Sequence, residues 1–147
     1  IDEVLSSGAI PSLEATFRFA AQRQQIINHN IANLETPFFR PLDVSTTAFQ
    51  KSLDAAIQQR RAGTGGMHGD LPLESTGEVA WGPDGSVKLN PRTGSGHILF
   101  HDRSNNDEIR LMQANAENAA VYRISSEVLR GRYQQVKDAI AERVYGF

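Results

Sequence analysis

The chain has 147 residues, a formal net charge of −2 and an isoelectric point near 6.1, which suits one domain and gives no electrostatic reason to expect nucleic acid. Cysteine is absent, which excludes disulfide stapling and thiolate chemistry but leaves the compartment open. No apolar run reaches the length of a membrane span, and no signal-peptide core follows a basic start.

The first expected element is a helix over residues 10–35. Ile10, Leu13, Phe17, Ala20, Gln24, Ile27, Ile31 and Leu34 form a strict a/d repeat with one polar member, Gln24. Pro11 suits the first turn, where its missing N–H costs nothing, and Ser7 and Ser12 are the candidate caps. Pro37 drives Thr36 out of the helical region, so the helix should end near Leu34 or Glu35, and Pro41 stiffens the exit.

Residues 36–104 form an inserted segment of different character. Asp43 to Arg61 is expected to hold a short helix, with Phe49, Leu53, Ala56 and Ile57 on one face and Ser45 near its cap. Nine of the twelve glycines lie between Gly63 and Gly96. Around Arg61-Ala-Gly-Thr-Gly-Gly-Met67 they make ordering costly, so a mobile loop is expected there. Glu78 to Leu89 reads as a β-hairpin turned by Pro83-Asp84-Gly85, with Trp81 anchoring a small core. His97 to His101 is a further expected strand.

A second helix is expected over residues 105–145, capped by Asn105 or Asn106. Its stripe runs Ile109, Met112, Ala116, Ala119, Tyr122, Ser126, Leu129, Tyr133, Val136, Ile140. The step from Ala119 to Tyr122 is one residue short, a stammer that overwinds a coiled coil locally. Gly131 inside it should cost about 1 kcal/mol relative to alanine unless a close backbone neighbour requires it. Arg110, Arg123, Arg130, Arg132 and Arg143 alternate with Glu108, Glu117, Glu127, Asp138 and Glu142, the pattern of a solvated or ion-paired face rather than a binding patch. Two sustained stripes with little apolar material between them must meet each other or a neighbouring molecule. The expected fold is therefore one mainly α domain over residues 1–147: an antiparallel, coiled-coil-like hairpin of the N- and C-terminal helices, with an inserted Gly-rich loop and a small β-hairpin.

No catalytic constellation emerges. His97 and His101 have the spacing of a two-histidine metal site on a helix, but Ile98-Leu-Phe100 favours a strand, where residues four apart sit too far apart for one ion. Asp102 and Asp107 are nearby without diagnostic spacing. There is no Gly-x-Ser-x-Gly and no P-loop lysine, and Thr64 has no base at a readable spacing. The expectation is a chain that is not an enzyme and carries no cofactor or metal.

The run Asn30-Ile-Ala-Asn-Leu-Glu-Thr-Pro-Phe-Phe-Arg40 closely resembles the Asn-Ile-Ala-Asn-x-x-Thr-Pro-Gly-Tyr/Phe-Lys signature of the flagellar axial proteins, and Arg23-Gln24 resembles the Arg-Gln that often precedes it. Asn105 to Arg123, with Ala116-Glu117-Asn118 and Tyr122, resembles the C-terminal pattern of the same family. Small size, Ala116-Glu117-Asn118 with Tyr122, and a C-terminus soon after Ile140 make the chain most similar to proximal rod subunits of the FlgB type. One departure is Phe38, where the signature has glycine at a turn position that tolerates positive φ; the turn differs, or the ring fills a pocket on a neighbour. The resemblance implies a structural subunit of the proximal rod of the bacterial flagellar basal body, exported without a cleaved signal peptide through the flagellar type III apparatus. Its copies would pack helically around a hollow axis, transmit torque and leave an export channel. Implied partners are copies of the chain, other rod subunits, the rod-base adaptor, the MS ring and the export gate, with no nucleic acid and no membrane insertion.

The residues expected to carry packing and signature are Leu13, Phe17, Ile27, Asn30, Ile31, Asn33, Leu34, Thr36, Pro37, Phe38, Phe39, Met112, Asn118, Tyr122, Leu129, Tyr133, Val136 and Ile140. Asn30 and Asn33 flank the first seam, where they serve either helix-end capping or a hydrogen bond between subunits. The rival expectation is a cytosolic helical-hairpin adaptor or coiled-coil dimer using the same seams. More distant is a small metal-dependent enzyme built on His97 and His101.

Overall fold

A computed structural model of the chain describes residues 7–93 and 105–145, the last segment with side chains for 108–142. The described chain is mostly helical. Helix α1 spans Ile10–Ala32, strand β1 Leu42–Asp43, helix α2 Thr46–Thr64, strand β2 Val79–Trp81, strand β3 Val87–Leu89, strand β4 Arg92–Thr93 and helix α3 Asn105–Tyr145. β2 pairs antiparallel with β3, Val79 opposite Leu89 and Trp81 opposite Val87. β1 pairs antiparallel with β4, Leu42 opposite Thr93. This second pairing had no sequence signal, because each strand is two residues long and shows no alternation.

Helix α1 has two buried faces, where the sequence stripe indicated one. Phe17, Ala20, Gln24 and Ile27 turn toward α3. A second row, Ala15, Phe19, Arg23, Ile26 and Asn30, turns toward the insert, and all of it except the half-buried Ile26 is buried. Phe19 enters a small core with Val44, Phe49 and Val79, against which Ile26, Leu53, Trp81, Val87 and Leu89 pack. The rings of Phe19 and Phe49 stack with centroids 3.9 Å apart, and Trp81 lies beside Phe49 at 6.3 Å. Burying one such aromatic is worth about 2–3 kcal/mol, which fastens the hairpin and α2 to one side of α1.

The helix ends follow local chemistry. α1 begins after Ala9, which has no side chain to cap with, and Ser12, a candidate cap, instead donates its hydroxyl to the Ala9 carbonyl at 2.9 Å. Pro11 sits in the first turn as expected. The helix stops at Ala32, earlier than Leu34 or Glu35, because the Asn33 side-chain amide donates to the His29 carbonyl at 2.8 Å and closes the last turn. Ser45 caps α2 by accepting from the Ala48 N–H, and Gly65 ends it in the left-handed region at φ 69°, where a side chain would be strained. The Gly-rich segment beyond, expected to be mobile, is tied back to the start of α1 by the Gly8 N–H donating to the Met67 carbonyl at 3.1 Å. The hairpin turns through Gly85 at φ 73°, with the Ser86 N–H donating to the Asp84 carboxylate at 3.0 Å. A bond from the Ser86 hydroxyl, and then this one from its N–H, hold the Asp84 carboxyl below the usual aspartate range. The expected strand at His97 to His101 and the side chains of Asn105 and Asn106 lie outside the described residues.

Candidate assembly surface

The signature run builds a turn held by intramolecular bonds. Asn30, 3% exposed, donates to the Leu42 carbonyl at 2.6 Å and accepts from the Leu42 N–H at 2.9 Å. Its side chain thus pairs with β1 as a neighbouring strand would. Asn33 takes the capping role: besides bonding the His29 carbonyl, it accepts from the Thr36 hydroxyl at 3.5 Å. Two helical turns before Asn30, Arg23 makes a two-pronged bond to the Asp43 carboxylate at 2.9 and 2.8 Å. Its guanidinium is largely buried while the aspartate is half exposed, so the pair orients the chain more than it stabilises it.

Between these anchors, Thr36 to Phe39 close a tight turn, the Phe39 N–H donating to the Thr36 carbonyl at 3.2 Å. Pro37 occupies the second position, and Phe38 the third at φ 62°, where this turn type requires positive φ and favours glycine. Thr36 and Pro37 are exposed, Phe38 is 85% exposed, and the half-buried Phe39 meets the His29 ring edge-on at 5.6 Å. Phe38 therefore takes a left-handed backbone of the kind glycine favours and adds a bare ring. Ile31 and Leu34 are half-buried at the foot of α1.

The contacts of α1 with α3 run in opposite senses along the two helices. Gln24 donates to Asn115 at 2.7 Å, Phe17 stacks on Tyr122 at 4.9 Å, and Glu14 accepts from the Tyr133 hydroxyl. At the centre is Asn118, 3% exposed, whose amide donates to the Ala20 carbonyl at 2.9 Å and to the Gln24 side-chain carbonyl at 2.8 Å. The polar member of the first stripe thus meets polar partners on α3. Ile27 is 1% exposed and Leu129 6%; Leu13 and Val136 are half-buried. Burial and the Glu14 contact push the Tyr133 phenol up to about 12.

The C-terminal stripe requires a correction in its first half. Ile109 and Met112 are exposed, as is Ala116, whereas Leu111 is buried. The face toward α1 is Leu111, Asn115, Asn118, Tyr122, Ser125, Leu129, Tyr133 and Val136. Up to Leu129 its steps alternate four and three, so the stammer disappears. The apolar pattern misled because the central seam positions are Asn115, Asn118 and Ser125, which a search for hydrophobic spacing passes over. Ser125 satisfies its hydroxyl on the Val121 carbonyl at 2.7 Å and leaves room for close approach. Ile140 lies on the seam side but is exposed, as are all described residues from 137 to 142. A second apolar row, Val121, Ile124 and Val128, faces outward, with Ile124 61% exposed. Gly131 continues that row, and a Cβ there would meet nothing within 4 Å.

An open groove of 420 Å³ is lined by Phe17 of α1 and by Ser126, Leu129, Arg130, Tyr133, Gln134 and Lys137 of α3. Among the described residues no group of three His, Asp or Glu side chains is placed to hold a metal ion, and His97 and His101 lie outside that set. No described helix is long and apolar enough to cross a membrane. No protein-family model matches the chain, and no curated protein does.

Proposed function

We propose that the chain is a structural subunit of the bacterial flagellar rod, of the proximal FlgB type, whose α1 and α3 pair as a coiled-coil-like hairpin and then pack against further copies. The observation that carries this reading is the signature from Asn30 to Arg40. Its asparagines and its Thr-Pro turn each have a defined geometric task, and together with Arg23 they fix how the insert leaves the hairpin. Support also comes from α3, which offers a second apolar row and a C-terminal stretch beyond the seam, surface suited to lateral neighbours. The partners are copies of the chain, other rod subunits and the base components to which a rod attaches. The role is mechanical, transmitting torque around an export channel, and involves no catalysis.

Deleting the encoding gene in the source bacterium and scoring swimming, with basal bodies imaged, tests the reading. The expected result is non-motile cells whose bases lack a rod, rescued by the intact chain and not by Ile27→Asp, which puts a charge into a dry seam. Normal swimming with intact rods in the absence of any second copy of the gene would overturn it. The outward row on α3 also suits a closed two-fold dimer, as in a cytosolic adaptor; sedimentation separates that reading, since a dimer stops at two chains.

A further inference from the structure

Phe38 combines two unfavourable features. Its backbone sits in the left-handed region, which costs a non-glycine residue about 1–2 kcal/mol, and its ring is 85% exposed. The turn closed by the Phe39 N–H on the Thr36 carbonyl holds the backbone there, while among the described residues the ring is left bare. A residue kept in strained backbone with its side chain in water points to a contact made elsewhere. The same molecule carries a hole of suitable chemistry at the far end of the hairpin. The groove beside Phe17, Leu129 and Tyr133 is open to solvent and has a volume of 420 Å³, room for a phenyl ring to lie against its apolar side chains. From Phe17 to Ala32 the helix rises about 22 Å, and Phe38 lies beyond that, so the ring cannot reach its own groove.

We propose that Phe38 is the knob of a head-to-tail contact between successive copies, its ring seated in the Phe17–Leu129–Tyr133 groove of the next chain. This rests on the self-assembling reading above and names the contact that drives it. Charge agrees: exposed Glu35 precedes the knob by three residues, and exposed Arg130 and Lys137 line the groove. Knob and hole are different surfaces, so the contact is heterologous and propagates, giving open chains rather than a closed dimer.

Native cysteine is absent, so disulfide trapping is free of background. In the full chain carrying both Glu35→Cys and Lys137→Cys, mild oxidation should give a ladder of trimers and longer species. Adding Phe38→Gly should cut ladder yield at least tenfold, while its helix content is unchanged and its thermal midpoint is equal or higher, so the loss cannot be assigned to unfolding. Products that stop at dimers, a ladder indifferent to Phe38, or no cross-linking at all would each overturn the contact. The two ideas fail separately. A Phe38-dependent ladder in a chain whose deletion leaves swimming normal retains the contact and removes the rod role; a rod defect without a ladder does the reverse.

Discussion

Asn118 donates two hydrogen bonds from the buried seam, to a backbone carbonyl and to the Gln24 amide, and Gln24 in turn reaches Asn115 and Asn28. A buried amide leaves water, so each bond mainly avoids a desolvation cost that a slipped register would incur in full. Asn118→Ala is expected to lower unfolding stability by about 1–3 kcal/mol, measured as a shift in the denaturant midpoint at constant slope. Asn118→Leu should recover part of that stability, because an apolar seam position is satisfied by packing alone. It should also loosen pairing register, as polar seam residues set alignment at some loss of stability. Amide exchange along α3 would separate the two effects: uniform protection with a lower global stability for alanine, uneven protection for leucine.

At the scale of elements, the seam also contains a pH-sensitive joint. The Tyr133 phenol, raised to about 12 by burial and by its bond to Glu14, favours the neutral form in the folded chain. Its contribution is fully present below the unfolded tyrosine value near 10 and is lost as pH rises through about 12. Stability should therefore fall between those values more steeply in the native chain than in Tyr133→Phe, as read by circular dichroism across an alkaline titration. The phenol is partly exposed, so the difference will be modest. The elements differed in how legible they were. α2 was readable because Ser45 and the Phe49–Ala56 face are ordinary helix signals, and the hairpin because Pro83-Asp84-Gly85 leaves few other turns. The second face of α1 was recoverable in principle from Phe19 and Ile26, seven residues apart beside the main stripe. The early register of α3 was not, since its seam is polar where it is most buried. Nor was Asn30, whose partner is a backbone that only the folded turn brings near.

For the whole molecule, the question is whether apolar surface on α3 belongs to folding or to assembly. α3 has 41 residues against 23 for α1, so roughly 60 Å of helix meets roughly 35 Å, and α1 cannot cover both sides of the longer helix. Val121, Ile124 and Val128 face away from α1 and are each at least 40% exposed. Removing an exposed side chain changes single-chain stability by no more than about 0.5 kcal/mol. An anchor in an interface between copies costs about 1–4 kcal/mol on truncation, or five-fold to several-hundred-fold in association. Ile124→Ser is thus expected to leave the melting curve in dilute solution nearly unchanged, while raising the concentration at which copies associate by at least tenfold. Light scattering across a dilution series reads the second quantity, and calorimetry of the dilute chain the first. Gly131→Ala sharpens the comparison, because alanine there meets no atom of its own chain and should stabilise the helix by about 1 kcal/mol. If that more stable variant associates less well, a neighbouring backbone approaches the glycine. If both variants associate like the native chain, the outward row is ordinary surface and the copies meet elsewhere.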